Sequence, residues 1–127
     1  MDLPKNEKSF MFSKEGEVTG FKYDGQFTVK CVLTAADKRV LEIEQSRLMV
    51  DLKNPTSNLI AISRVVANLR IRVLKSPDWF GQMISDLETL DDNILFDVWS
   101  ECLTASQAWM DELKKKSDPV GNEQPQS

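Results

Sequence analysis

The sequence predicts an α+β fold, mostly α, with an N-terminal β-hairpin packed on a bundle of three longer helices plus one short helix. Three observations lead there. Phe21-Lys-Tyr-Asp-Gly-Gln-Phe-Thr-Val-Lys30 alternates apolar and polar residues around Asp24-Gly25, a strong hairpin signal. Apolar residues recur at spacings of three and four from Leu59 to Val73 and again from Leu95 to Leu113. Asn54-Pro55, Ser76-Pro77 and Asp91-Asp92 punctuate the chain as helix stops and starts.

Residues 1–16 mix charges with Pro4, Ser9, Ser13 and Gly16 and hold no sustained period, which predicts an irregular N-terminal arm. Its triplet Phe10-Met11-Phe12 offers an anchor onto the body or onto a neighbour. The hairpin is expected over 17–32. A two-residue loop at Asp24-Gly25 would mix apolar and polar side chains on each face, so Tyr23-Asp24-Gly25 is read as a three-residue loop closed by a left-handed glycine. Strands then run over about 17–22 and 26–32, pairing Phe21 with Phe27 and Thr19 with Val29. Phe21, Phe27, Val29 and Cys31 share one face, opposite Lys22, Gln26, Thr28 and Lys30.

Thr34-Ala-Ala-Asp37 reads as a capping box, and a first helix is expected over about 35–52. Val40, Ile43 and Val50 lie on one of its faces and Leu41, Leu48 and Leu52 on a second, predicting cover on two sides. Asn54-Pro55 breaks it, and Thr56 or Ser57 caps a second helix over about 58–75. That helix carries Leu59, Ile62, Val66, Leu69 and Val73 on one seam and Ile60, Ala67, Ile71 and Leu74 on another, which makes it central. The alternation in Arg70-Ile-Arg-Val-Leu74 offers a strand instead, but the unbroken helical spacing favours helix.

Ser76-Pro-Asp-Trp79 places serine at an N-cap and proline at the first helical position, predicting a short helix over about 77–85. Asp91 or Asp92 caps a last helix over about 92–115, with Leu95, Val98, Cys102, Ala105, Trp109 and Leu113 on one seam. Residues 17–116 thus form a single globular domain, and 117–127 read as a flexible C-terminal tail.

At 127 residues the chain suffices for a core without metal or disulfide staples. Cys31 and Cys102 are far apart and sit in apolar patterns, which fits buried reduced thiols. No apolar run approaches the roughly 18 residues that span a bilayer, and the N-terminus lacks signal-peptide order, so the expected compartment is cytoplasmic. The sequence contains no histidine, no glycine-rich phosphate loop, no zinc spacing and no nucleophile elbow. No catalytic residue, cofactor or metal site is therefore predicted, and the chain is read as not an enzyme. The adjacent carboxylates of Asp91 and Asp92 are read as helix caps rather than metal ligands.

Net charge is −4, unevenly placed: Lys22 to Lys75 hold ten basic against five acidic residues, whereas Ser76 to Leu113 hold nine acidic and no basic ones. Such halves complement one another within a domain or across subunits, and the acidic half opposes nucleic-acid binding. Protein binding remains. The hairpin edge invites strand addition, and the later helices carry more apolar surface than a small bundle covers. The candidate partner-binding residues are Phe21, Tyr23, Phe27 and Val29 on the hairpin, Ile71 and Leu74 on the second helix, Trp79 and Phe80 on the short one, and Phe96, Trp99, Trp109 and Met110 on the last. Self-association into a homo-oligomer is expected.

Three stretches, taken together, resemble the tail assembly chaperones of long-tailed bacteriophages: Gly25-Gln-Phe-Thr-Val-Lys30 leading into Leu33-Thr-Ala-Ala-Asp-Lys38, Ala67-Asn-Leu-Arg-Ile-Arg-Val-Leu-Lys-Ser-Pro-Asp-Trp-Phe80, and Leu90-Asp-Asp-Asn-Ile-Leu-Phe-Asp-Val-Trp99. The likeness covers roughly residues 17 to 112 and lies in pattern, aromatic placement and punctuation. It implies a non-enzymatic, mostly helical protein of the host bacterial cytoplasm that binds the tape measure protein and recruits tail tube subunits. The alternatives are a small virion structural subunit of the head, tail or connector, and a phage protein that binds a host factor.

Overall fold

Lys8-Ser-Phe-Met-Phe-Ser-Lys-Glu15 alternates inward and outward side chains, and it forms the first strand of a three-stranded antiparallel sheet. The computed structural model describes residues 3–117. In chain order the elements are β1 (Lys8–Glu15), β2 (Lys22–Val29), α1 (Ala35–Met49), α2 (Ser57–Arg72), β3 (Val73–Lys75), α3 (Asp78–Asp86) and α4 (Asn93–Ser117). The fold is α+β and mostly α, a hairpin packed on three longer helices and one short one, with β3 added at the sheet edge. The predicted tail from residue 118 onward lies outside the described residues.

The hairpin is real, but it sits one strand earlier than the sequence reading placed it. The stretch read as an irregular arm is β1, pairing with β2 in the register Phe10↔Phe27 and Phe12↔Gly25. The turn is Gly16 to Phe21, closed by Gly16 N–H donating to the Phe21 carbonyl at 2.8 Å, with Gly20 at φ 72°. Tyr23-Asp24-Gly25 is therefore mid-strand and not a loop, and the expected pairs Phe21–Phe27 and Thr19–Val29 do not form. Gly25 is required for a different reason: at φ 147° its backbone lies against the Pro77 ring, where a Cβ would collide.

Helix starts follow the predicted chemistry. Thr34 Oγ1 accepts from the Asp37 amide at 3.1 Å, and Asp37 accepts from the Thr34 amide at 3.0 Å, a complete capping box. Thr56 caps α2 through the Leu59 amide at 3.1 Å. At α3 the cap is Pro77 rather than Ser76, one residue later than predicted. The helical spacing through Val73 and Leu74 misled at the end of α2. The helix stops at Arg72, whose carbonyl accepts from Lys30 N–H at 2.7 Å, and residues 73–75 join the sheet beside β2.

The core lies between the inner face of the sheet, α2, α3 and α4. Phe27 is at its centre, with ring centroids 5.4 Å from Phe10, 5.7 Å from Phe12 and 5.0 Å from Phe80. Val66, Leu69, Ile94 and Val98 close around it. As the sequence predicts, α2 is central, buried at Ser63 and from Val65 to Leu69. Cys31 and Cys102 are buried free thiols, and burial pushes Cys102 up to about 12. No helix among the described residues is long and apolar enough to cross a membrane.

Candidate protein-binding surface

The twelve residues singled out from sequence divide sharply by burial. Phe27, Val29, Phe80 and Trp109 are interior, so in this fold they hold the protein together and present nothing to a partner. Tyr23, Ile71, Trp79, Phe96 and Trp99 are half-buried. The Trp79 indole N–H donates to the Asp24 carbonyl at 2.8 Å, and the Trp99 ring lies 5.5 Å from the Arg72 guanidinium. Of the twelve, Phe21, Leu74 and Met110 alone are exposed, in the hairpin turn, on β3 and on α4. Aromatic content drew the sequence reading toward the core, where large rings are most often buried.

A surface that the residue list missed is on α1. None of its 15 residues is buried. Leu41, Gln45, Leu48 and Met49 are half-buried along the side that packs on α2. On the opposite side Val40, Ile43 and Val50 are 52%, 51% and 65% exposed. These follow the two apolar faces visible in the sequence: the fold half-buries Leu41 and Leu48 of one, while Leu52, past the helix end at Met49, is 40% exposed. An open depression on the uncovered side is lined by Glu42, Ile43, Ser46, Arg47 and Val50.

Polar contacts at the N-terminal end and in the middle fix α1 in place. Lys30 Nζ lies 3.0 Å from the Asp37 carboxylate. The Thr34 backbone amide and that ammonium together hold Asp37 below the usual carboxylate range. Arg70 joins three helices: its guanidinium donates to Glu44 on α1 at 2.5 Å and to the carbonyls of Ile84 at 3.0 Å and Ser85 at 3.4 Å on α3. The open face is thus presented on a positioned helix.

A second unanticipated constellation surrounds Asp91, which is 1% exposed. Its carboxylate turns away from α4 and takes the hairpin turn instead. It accepts from the amides of Val18 at 2.9 Å and Thr19 at 3.0 Å, from Thr19 Oγ1 at 2.6 Å and from the Tyr23 hydroxyl at 2.7 Å. The Thr19 hydroxyl is the largest of the causes that lower it to about 2, and the neighbouring carboxylate raises Tyr23 above its ordinary value. Asn93 reinforces the junction, accepting from Glu17 N–H at 3.0 Å and donating to the Glu15 carbonyl at 3.3 Å. A Cβ on Gly16 would land on the Asp91 carboxylate. With four donors aimed at it, Asp91 is a latch between hairpin and helix; of the two residues suggested as the cap, Asp92 is the one that immediately precedes α4.

Among the described residues no group of three His, Cys, Asp or Glu side chains is arranged to hold a metal ion. Comparison with family models, with curated proteins and with solved structures finds no match to this chain.

Proposed function

We propose that this chain is a non-enzymatic assembly protein of the tail assembly chaperone kind, acting in the host bacterial cytoplasm. It binds the tape measure protein and recruits tail tube subunits, with neither nucleic acid nor membrane as a partner. The observation that carries the reading is the open apolar face of α1: Val40, Ile43 and Val50 stand in solvent on a helix whose other side is packed and pinned. A chaperone for long apolar helices needs such a surface, because an amphipathic helix is kept soluble by burying its stripe on another. The three stretches that resemble tail assembly chaperones support the same reading. The outer edge of β1, eight residues long, is the surface through which copies join into a homo-oligomer.

Co-expression with the tape measure protein tests the reading. The tape measure protein is expected to stay soluble and to co-purify with the wild-type chain, and to be lost from Ile43→Asp. Mass spectrometry of purified particles is expected to find this chain absent. Its presence at stoichiometric amounts would instead identify a virion structural subunit.

A further inference from the structure

Between the segment after β2 and helices α1, α2 and α4 lies an open cleft of about 480 Å³, within the roughly 300–1,000 Å³ usual for small-ligand sites. Its polar lining is Lys38, Asn68, Arg72 and Ser106, with no aspartate or glutamate. Val32, Leu33, Leu41 and Met110 supply an apolar remainder.

Arg72 is firmly placed, yet part of it is unused. Its Nε donates to Asn68 Oδ1 at 3.3 Å, its Nη1 donates to the Cys31 carbonyl at 2.8 Å, and the Trp99 ring lies 5.5 Å from the guanidinium. Its Nη2 makes no hydrogen bond to a described residue, and no carboxylate among the described residues forms an ion pair with it. Desolvation is the largest influence on its titration and pulls it down, while Asp37, the carboxylate that counters this, is already paired with Lys30 at 3.0 Å. A half-buried cation without its own counter-charge gains from an incoming anion. Lys38, exposed on the same lining, likewise forms no ion pair among the described residues.

Ser106 adds a hydroxyl. It is 9% exposed and has no side-chain hydrogen bond to a described residue. No buried side-chain nitrogen or oxygen among the described residues is left both sealed and unpaired, so this hydroxyl opens to the cleft that its residue lines. The backbone along the wall is occupied: Asn6 takes the Val32 amide at 3.0 Å and the Val32 carbonyl at 2.8 Å, and Arg72 takes the Cys31 carbonyl. Those groups are closed to the amides of a peptide. One small anionic head on an apolar body suits both halves of the lining.

We infer that this cleft binds a small amphiphilic carboxylate, such as a medium-chain fatty acid, with its head toward Arg72, Lys38 and Ser106 and its alkyl body against Val32, Leu33, Leu41 and Met110. The inference does not rest on the chaperone reading.

The test titrates the full chain with octanoate by calorimetry, beside octanol, octylammonium, acetate, inorganic phosphate and N-acetyl-leucyl-leucine. Octanoate is expected to bind with a Kd of about 1 mM or below, and about tenfold or more tighter than each of the others. Arg72→Gln is expected to weaken octanoate by about tenfold or more through the lost charge-assisted hydrogen bond. Lys38→Glu reverses an exposed charge and is expected to weaken it by about threefold or more with an unchanged melting curve, which keeps the inference testable if Arg72→Gln fails to fold. No binding of octanoate, or wild-type affinity in Lys38→Glu, overturns the inference. So does any other probe that matches octanoate: octanol or octylammonium would leave an apolar groove without choice of charge, acetate or phosphate a bare anion site, and N-acetyl-leucyl-leucine a site for a peptide C-terminus.

Discussion

The hairpin–α4 junction and α1 answer the same physical problem in opposite ways. At the junction, Asp91 is out of water with four donors aimed at it, and Gly16 leaves only the space that the carboxylate fills. On α1 the polar contacts are at the N-terminal end and the inner side, while apolar side chains face solvent. One region spends its residues on holding the fold together. The other is held in place but leaves apolar side chains uncovered, and that contrast separates residues that hold the fold together from residues left facing solvent.

Mutations that sharpen the contrast differ in size. Phe27→Ala, at the centre of the aromatic core, is expected to cost about 3–5 kcal/mol by urea denaturation, enough to unfold much of the population. Gly16→Ala drives a methyl into the Asp91 carboxylate and is expected to cost about 1–3 kcal/mol, read as a lower denaturation midpoint with an unchanged slope. Acid acts on the same latch. Because the Asp91 carboxyl titrates lower folded, at about 2, than its ordinary 3.8, its contribution is complete above about pH 5 and is lost progressively as pH falls through 3.8 to below 2. Midpoints measured across that window are expected to fall for the wild type and to fall less for Asp91→Asn. Thr34→Ala removes the capping box of α1 and is expected to cost about 1 kcal/mol, with faster amide exchange in α1 and little change in the sheet. Ile43→Asp is expected to leave stability within about 0.5 kcal/mol while abolishing co-purification of the tape measure protein. If Ile43→Asp instead melted the protein, the comparison between the two regions would collapse.

The parts of the fold legible in sequence were those fixed by local chemistry. Thr34 with Asp37, and Thr56 before its helix, set caps within four residues of themselves. The inward parity of Phe27, Val29 and Cys31 followed from alternation alone. What misled was a local signal with a non-local cause. Asp24-Gly25 has turn chemistry, yet Gly25 is needed because Pro77 approaches from beyond β3, and no spacing in the sequence announces that contact. Asp91 was one of two adjacent cap candidates, and its carboxylate found the hairpin turn about 70 residues earlier in the chain. For the candidate surface, the two apolar faces of α1 were legible, but which one the fold would cover depends on where α2 lies. The aromatic residues were the wrong guide, since Phe27 and Phe80 are what the core is made of.

The indole of Trp109 donates to the Lys5 carbonyl at 2.9 Å, and Lys8 reaches Glu112 at 2.7 Å, so the first strand is tied to the last helix across 104 residues of chain. A domain closed in this way cannot finish folding until α4 has been made: β1 is synthesised before α4 and waits for it, with its edge and its phenylalanines incompletely shielded in the interval. Its folding is expected to be slow for a chain rich in helix. Truncation before Trp109 is then expected to release β1 and expose the aromatic core, rather than merely shorten α4.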